Sequence, residues 1–186
     1  MSRRVKSLLP PDKFITLGER RWIILDKDIE NDRMLVISED LFDSRQHQKD
    51  LHYNGWGKSL INKWLNDPSE NGFVKQAGLE NIDIISVPHV TGYDWNGPCF
   101  SDEKIFLLSE DEFRHYFLER PEYTKNSIAY WPGTTEKYWW WLRSKGYGAS
   151  YKSACVSVVI TKNIVWNADP ENSYAIRPAF WMRIPK

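Results

Sequence analysis

Two runs of bulky residues near the C-terminus limit what this chain can fold into. The first run is Tyr138-Trp-Trp-Trp-Leu-Arg-Ser144. Because side chains alternate along a strand, both faces of a strand here carry bulk: Trp139, Trp141 and Arg143 point one way, Trp140 and Leu142 the other. A strand with two bulky faces belongs inside a sheet.

The second run, Ala175-Ile-Arg-Pro-Ala-Phe-Trp181, alternates in the same manner. The two runs together predict a structural core made of Trp139, Trp140, Trp141, Arg143, Arg177 and Trp181. An arginine among tryptophans is able to bind an anionic ligand, but it also stacks on indole rings and bonds buried carbonyls. We favour the structural role for Arg143 and Arg177, since each lies inside a core-like run.

The same runs resemble a known signature. The first run, with Gly146 after it, and residues 176–181 resemble the C-terminal motifs of an uncharacterised family of bacterial and phage proteins, W-W-L-R-S-P-G and later G-V-R-P-A-L-W. Earlier segments match in order: residues 22–26, 34–38, 56–66 and 102–109. The chain departs from the pattern at Lys145, where the family has Pro, at Ala175, where it has Gly, and at Asn62, where it usually has Arg.

The closing motif in turn resembles the formylglycine-generating-enzyme (sulfatase-modifying) branch of C-type-lectin-like folds. The resemblance implies a single α+β domain with a twisted, mostly antiparallel sheet, two or three helices and long ordered loops. That branch also raises the alternative of a cysteine-dependent oxidase. Cys99 and Cys155 are the two cysteines of the chain, and they lie in different segments. We interpret both as buried thiols and expect no enzyme activity, no cofactor and no metal site.

Chain length and charge limit which other classes of protein this chain can belong to. A chain of 186 residues is most simply one domain, residues 1–186, with residues 1–12 as a loosely packed arm. It carries 25 basic and 25 acidic residues, which is not the charge pattern of a nucleic-acid binder. The basic N-terminus has no apolar run of signal-peptide length, and no stretch is long enough to span a membrane. We therefore expect a cytoplasmic protein or one carried on a phage particle.

Local patterns predict most elements. Strands are expected at residues 14–17, 21–25 and 34–37, and a helix is expected after Ser59, stopping at Pro68. A shorter helix is expected at 73–77, a strand at 104–108, and a helix after the capping box of residues 109–112. Residues 154–160 and 164–166 read as a hairpin.

Three segments have competing interpretations. Residues 26–32 are rich in acidic side chains but lack the glycine and glutamate of a calcium loop, so we interpret them as a solvated hairpin turn. His47 and His52 are five residues apart, which does not align them on a helix, and we interpret them as surface residues. Residues 91–100 are interpreted as a turn-rich loop that either serves recognition or covers the core.

The residues after Ser144 suggest a binding function. Residues 145–153 are rich in Tyr, Ser and Gly, a composition that binding loops use because Tyr gives rigid contact area and Ser and Gly adapt their hydrogen bonds. The predicted ligand-binding residues are Tyr147, Ser150, Tyr151, Lys152, Asn163, Trp166 and Asn167. We predict a non-enzymatic binding module, encoded by a phage or bacterium, for a protein or surface ligand. The alternatives are a phage-encoded inhibitor of a host factor and an ordinary loop.

Overall fold

The computed structural model describes residues 9–49, 55–94, 97–146, 156–159 and 164–185. In this part of the chain the strands, numbered in chain order, are β1 Phe14–Leu17, β2 Arg20–Asp28, β3 Arg33–Ser38, β4 Ser44–Gln46, β5 Ile84–Ile85, β6 Val87–Asp94, β7 Gly97–Glu103, β8 Trp140–Lys145, β9 Val156–Val159, β10 Val165–Ala168, β11 Ser173–Ala175 and β12 Ala179–Arg183. The α-helices are α1 Leu60–Leu65, α2 Phe73–Gln76 and α3 Glu110–Phe113.

Two five-stranded sheets organise these elements. The first has the order β1-β2-β3-β12-β5 and is antiparallel throughout. The second has the order β10-β9-β8-β11-β4, with one parallel pair, β11 and β8. The strands β6 and β7 form a separate antiparallel hairpin. The chain is thus a small domain of mixed helix and sheet, with mostly antiparallel strands and few helices.

Local signals in the first half fold as the sequence predicts. The hairpin of β1 and β2 turns at Gly18, whose φ of 58° favours glycine. Ser59 caps α1 by accepting the backbone N–H of Asn62. Ser109 and Glu112 form the predicted capping box of α3, and one turn of π-helix, Arg114–Leu118, continues that helix. These predictions are confirmed. Sequence could make them because each depends on residues that are close in sequence.

Two predictions of local structure are wrong. Residues 91–100 are not a loop, since β6 and β7 pair across most of that segment and a register shift between Val90 and Gly92 accommodates the glycine. Residues 104–108 are not a regular strand. Their apolar side chains are buried, but the backbone joins the two sheets: Phe106 exchanges hydrogen bonds with Ala179 of β12, and Leu108 O accepts from the Arg143 N–H of β8.

The core lies between the second sheet, the first sheet and the π-helical turn. Trp140 packs edge-on against Phe113 and Phe117, with ring centroids 5.7 and 6.5 Å away. Arg177 is completely buried, and its Nε and Nη1 donate to Ser38 O at 2.8 Å and Asn126 O at 2.7 Å. The guanidinium lies 5.2 Å from the Trp140 ring and 5.1 Å from the Phe117 ring.

Not every residue of the predicted core is buried to the same extent. Trp140, Trp141 and Arg177 are fully enclosed, and Arg143 is largely covered by its ion pair with Glu112. Trp139 and Trp181, by contrast, are only half-buried at the margin of the core. Trp139 lies one residue before β8 begins, where the sheet no longer covers both faces, and Trp181 lies beneath the Arg33 guanidinium. For these two residues the core prediction is therefore too strong.

The N-terminal segment is described from Leu9 onward. Leu9 is 6% exposed and belongs to the core, whereas Pro10, Pro11 and Asp12 are exposed, and Pro11–Lys13 forms a turn of 3-10 helix before β1. Residues 1–8 lie outside the described part, so the loose arm over residues 1–12 stays a prediction. Within the described ranges, no helix has the length and apolarity that crossing a membrane requires.

We predict that Trp140→Ala lowers the free energy of unfolding by roughly 3–5 kcal/mol, because it leaves a cavity beside Phe113 and Phe117. Chemical denaturation followed by circular dichroism measures the change. Trp166→Ala is the matched control: Trp166 is 59% exposed, so its loss should cost no more than about 0.5 kcal/mol. Equal effects of the two substitutions would contradict the assignment of Trp140 to the core.

Candidate functional site

Most of the predicted binding residues lie outside the described part of the chain. These are Tyr147, Ser150, Tyr151, Lys152 and Asn163. Trp166 and Asn167 are described, and both lie on β10, the end strand of the second sheet, with exposed side chains. Ile164, two residues before Trp166 and therefore on the same face, is also exposed. The two described residues of the predicted patch thus reach the surface.

Strand register places Trp166 on the same sheet face as Trp141. Trp166 is opposite Val158 of β9, and Val158 is opposite Trp141 of β8. Residues directly opposite each other share a face, and neighbouring strands are about 4.8 Å apart, so Trp166 and Trp141 are roughly 10 Å apart across the sheet. The parallel pair Ala175 and Trp140 puts Tyr174 on this face too. Its ring centroid is 4.9 Å from that of Trp141.

Four partly exposed rings form what we call the aromatic platform: Trp131, Tyr138, Trp139 and Tyr174. The centroids of Trp131 and Tyr138 are 6.1 Å apart, and those of Tyr138 and Tyr174 are 6.4 Å apart. Trp139 stacks on Tyr174 at 5.5 Å with an interplanar angle of 27°. The four rings are therefore a connected surface, and one of them, Tyr174, lies on the sheet face that also bears Trp166.

A tight turn and a strand pair position the platform. Trp131 O accepts from the Thr134 N–H, and Gly133 between them has a φ of 73°. The Trp131 N–H donates to Glu136 O at 3.0 Å, which closes the turn and brings Trp131 back beside Tyr138. On the other side, the Ala175 N–H donates to Trp139 O at 2.9 Å and holds Tyr174 next to Trp139.

The hydroxyl end of Tyr174 lies in a polar setting. Burial raises the pKa of Tyr174, the neighbouring Tyr138 and Asp169 raise it further, and a hydrogen bond with Asn172 opposes them. Tyr174 is therefore neutral at physiological pH, and its hydroxyl group is able to donate as well as accept. The platform thus combines apolar rings with polar groups at its edge.

The hydrogen bonding of the indole N–H group distinguishes the structural tryptophans from those of this surface. Trp22, Trp56, Trp64, Trp140 and Trp141 each donate their N–H to an internal acceptor. Within the described residues, Trp131, Trp139 and Trp166 have no such acceptor, and neither has Trp181 in the first sheet. A buried indole N–H finds an acceptor because leaving it unpaired is costly, so unpaired indoles mark rings that water or a ligand can reach.

His47 lies beneath the platform, contrary to its interpretation as a surface residue. Its side chain is fully buried, with its ring 5.6 Å from that of Trp141 and 6.0 Å from that of Trp56. Burial lowers the pKa of His47 to about 3 from an ordinary value of 6.5. The residues that His47 contacts come from distant parts of the chain, so the sequence spacing of His47 and His52 does not indicate its burial. His52 lies outside the described residues.

The segments considered for other chemistry have structural roles where they are described. Arg143 Nη1 and Nη2 pair with both carboxylate oxygens of Glu112 at 2.6 and 2.9 Å. Burial raises the pKa of Glu112, but the charge and hydrogen bonds of Arg143, together with the Ser109 N–H bond and the nearby His89, outweigh burial, and the net shift is downward. Ser144 Oγ accepts the Glu110 N–H, so it supports the start of α3. The side chain of Cys99 and all of Cys155 lie outside the described atoms.

The segment that resembled a calcium loop is a hairpin turn between β2 and β3, as interpreted. Asp28 accepts from the backbone N–H and the side chain of Asn31 and from Arg33 Nε, the last at 2.9 Å. Of these hydrogen bonds, the one from the Asn31 side chain lowers the pKa of Asp28 most. Its carboxylate is therefore used within the turn.

Fold and surface together define a mixed helix-and-sheet domain that carries an exposed aromatic face. The chain belongs to the family described as Domain of unknown function (DUF6273), whose model matches residues 31–184. No curated protein and no solved structure is similar enough to this chain to count as a match.

Sequence reasoning missed the aromatic platform. It assigned Trp139 to the core, and it did not weigh Tyr138 or Tyr174 as surface residues. A signal was present in part, since Tyr138 and Trp139 precede the strand and Trp131 precedes a Pro-Gly turn, where rings lose the cover of the sheet. The meeting of Tyr174 with Trp139 depends on a parallel strand pair that local patterns do not reveal.

We predict that the free energy of unfolding falls between pH 7 and pH 5. His47 is neutral in the fold and has a pKa of about 3 there, whereas it binds a proton near pH 6.5 when unfolded. Its contribution is present above pH 6.5 and is lost as the pH decreases, by on the order of 2 kcal/mol at pH 5. His89 acts in the same direction, since burial lowers its pKa to about 4.

Urea denaturation at the two pH values measures this slope. His47→Phe keeps a ring but cannot be protonated, so we expect the pH dependence to shrink even if the variant is less stable at pH 7. His115→Gln is the matched control, because the His115 side chain is exposed, and this variant should keep a larger pH dependence than His47→Phe. Glu112 has little effect on this result. Its pKa is lowered from 4.5 in the fold, so its carboxyl group takes up most of its protons below pH 5. An unchanged slope in His47→Phe would contradict the burial of His47.

Proposed function

We propose that the protein is a non-enzymatic binding module. Its binding surface comprises the aromatic platform, the edge strand β10 and the Tyr/Ser/Gly-rich segment that follows β8. Its ligand is a protein or a surface-bound group. The observation that carries this proposal is a set of three tryptophans that reach the surface: Trp166 on β10, Trp139 just before β8, and Trp131 in the turn that precedes it. Their indole N–H groups have no acceptor among the described residues.

Rigid support favours binding through this surface. Trp139 and Tyr174 are fixed by the pairing of β8 and β11, and Trp141 and His47 fill the space beneath them. Aromatic side chains on a rigid scaffold lose little conformational entropy when a partner covers them, and Trp and Tyr dominate the binding energy of many interfaces. A surface of this kind is more costly to leave exposed than a polar one, which supports a role in recognition.

A lectin-like arrangement is part of the same proposal. Support comes from the closing motif, in which Ile176, Ala179 and Phe180 are buried and Arg177 bonds two distant backbone carbonyls. A motif with these structural contacts suits a family in which the core is constant and the loops beside it differ. An experimental structure compared with lectin-like domains tests this part of the proposal independently of binding.

We predict that replacing Tyr147, Tyr151 and Trp166 together by Ala abolishes partner capture with little change in stability. Biotinylated protein is used to capture partners from a bacterial lysate, and captured proteins are quantified by mass spectrometry. Loss of the best aromatic contact alone should weaken binding by at least about 2 kcal/mol, or roughly thirtyfold.

Phe100→Ala is the matched control for this experiment. Phe100 is 63% exposed but belongs to the separate β6–β7 hairpin, so its loss should leave capture unchanged. Capture that survives the triple substitution, or that falls equally with Phe100→Ala, contradicts the proposed surface.

A further inference from the structure

We propose that the aromatic platform takes a proline-rich segment of a partner protein, bound as a polyproline II helix and flanked by Arg or Lys. This inference rests on the proposed binding function and names the chemistry of its ligand. It concerns the four rings Trp131, Tyr138, Trp139 and Tyr174.

The arrangement of the rings suits a ligand of this shape. A polyproline II helix has three residues per turn and rises about 3.1 Å per residue, so the same face recurs about every 9.3 Å. The centroid distances from Trp131 to Tyr138 and from Tyr138 to Tyr174 are 6.1 and 6.4 Å. The three rings therefore offer two adjacent furrows, over which about one turn of the ligand can lie.

The tilt of the rings favours this ligand over a carbohydrate. Trp131 and Tyr138 are inclined by 39°, and Tyr138 and Tyr174 by 44°, so adjacent rings form furrows and not one flat surface. A sugar ring stacks on an open aromatic face, but Tyr174 has Trp139 stacked on it at 27° and meets Trp141 edge-on. Furrows between aromatic rings are the feature that proline-binding domains use to hold pyrrolidine rings.

The hydrogen-bonding groups of the platform are also complementary. A polyproline II helix has no internal hydrogen bonds, so its carbonyl groups accept bonds from a partner. Trp131 and Trp139 each have an indole N–H without an acceptor among the described residues, and an indole N–H is a donor only. A ligand that offers carbonyls but few N–H groups satisfies both.

Charges at the platform's margin indicate what flanks the prolines. Asp169 is close enough to Tyr174 to raise its pKa, and Glu136 and Glu171 are exposed at the turns that border the platform. Lys137 is the positive side chain in the same turn as Glu136. Arg45 lies opposite Tyr174 in the sheet and pairs with Asp43 at 2.8 Å. Four carboxylates against two positive side chains leave a net negative margin, which favours Arg or Lys in the ligand.

Nuclear magnetic resonance of the full chain labelled with nitrogen-15 at tryptophan tests the inference. The chain contains ten tryptophans, so ten indole N–H signals are followed individually. The probe is a synthetic peptide of about ten residues with a proline-rich centre, long enough to span the platform, and an arginine at each end. The matched peptide has the same arginines and a Gly/Ser centre.

We expect the proline-rich peptide to shift the signals of Trp131 and Trp139 and to leave those of Trp22 and Trp140 in place. Trp131→Phe and Trp139→Phe keep an aromatic ring but remove a donor, and each should weaken binding at least about tenfold. Trp181→Phe is the matched control, since Trp181 is half-buried in the first sheet and should not affect the affinity.

Three results overturn the inference: no shift with the proline-rich peptide, equal shifts with the Gly/Ser peptide, or shifts with a mixture of oligosaccharides in place of the peptide. If partner capture still depends on Tyr147, Tyr151 and Trp166 while the peptide gives no shift, the ligand class alone is wrong. If capture is also independent of those residues, the proposed function is wrong as well.

Discussion

The buried guanidinium of Arg177 is the interaction on which the rest of the structure depends. It bonds the carbonyl of Ser38 at the end of β3 and that of Asn126 in a distant 3-10 turn, and it lies between the rings of Phe117 and Trp140. Desolvation lowers the pKa of Arg177 to about 9, against the opposing effect of Asp40 and Glu39, so the group stays charged at neutral pH. A charge without water must keep its partners, and it therefore holds three segments together.

The division of the tryptophans explains how one residue type serves both core and surface. Five indoles donate to carbonyls or to a carboxylate inside the fold, and this hydrogen bond fixes ring orientation as well as removing an unpaired donor. The rings of the platform lie where the second sheet ends, and there the same residue type keeps its apolar area but leaves its donor available. Within the Trp139–Trp140–Trp141 run, one ring belongs to the surface and two belong to the core.

Sequence predicted the elements whose causes are local. The Gly18 turn, the Ser59 cap and the capping box of Ser109 and Glu112 each follow from residues within four positions of one another. Prediction from sequence failed where contacts between distant segments determine the structure. His47 is buried by Trp56 and Trp141, Trp139 meets Tyr174 through a parallel pair, and β6 and β7 pair despite their glycines and prolines because a register shift absorbs the irregularity. Five of the seven residues of the predicted binding patch lie beyond the described residues, so their role stays a prediction.

The layer beneath the platform has a consequence for binding. Tyr174 is held from below by Trp141, and Trp141 is held by His47 and by its own N–H bond to Arg45 O. Since burial keeps His47 neutral, its ring adds no charge to the layer under the platform. Rings that are already in place do not have to be ordered when a ligand arrives, and pre-organisation of this kind raises affinity without any added contact. The buried residues under the platform therefore affect recognition through the geometry of Tyr174 and Trp139, although no ligand reaches them.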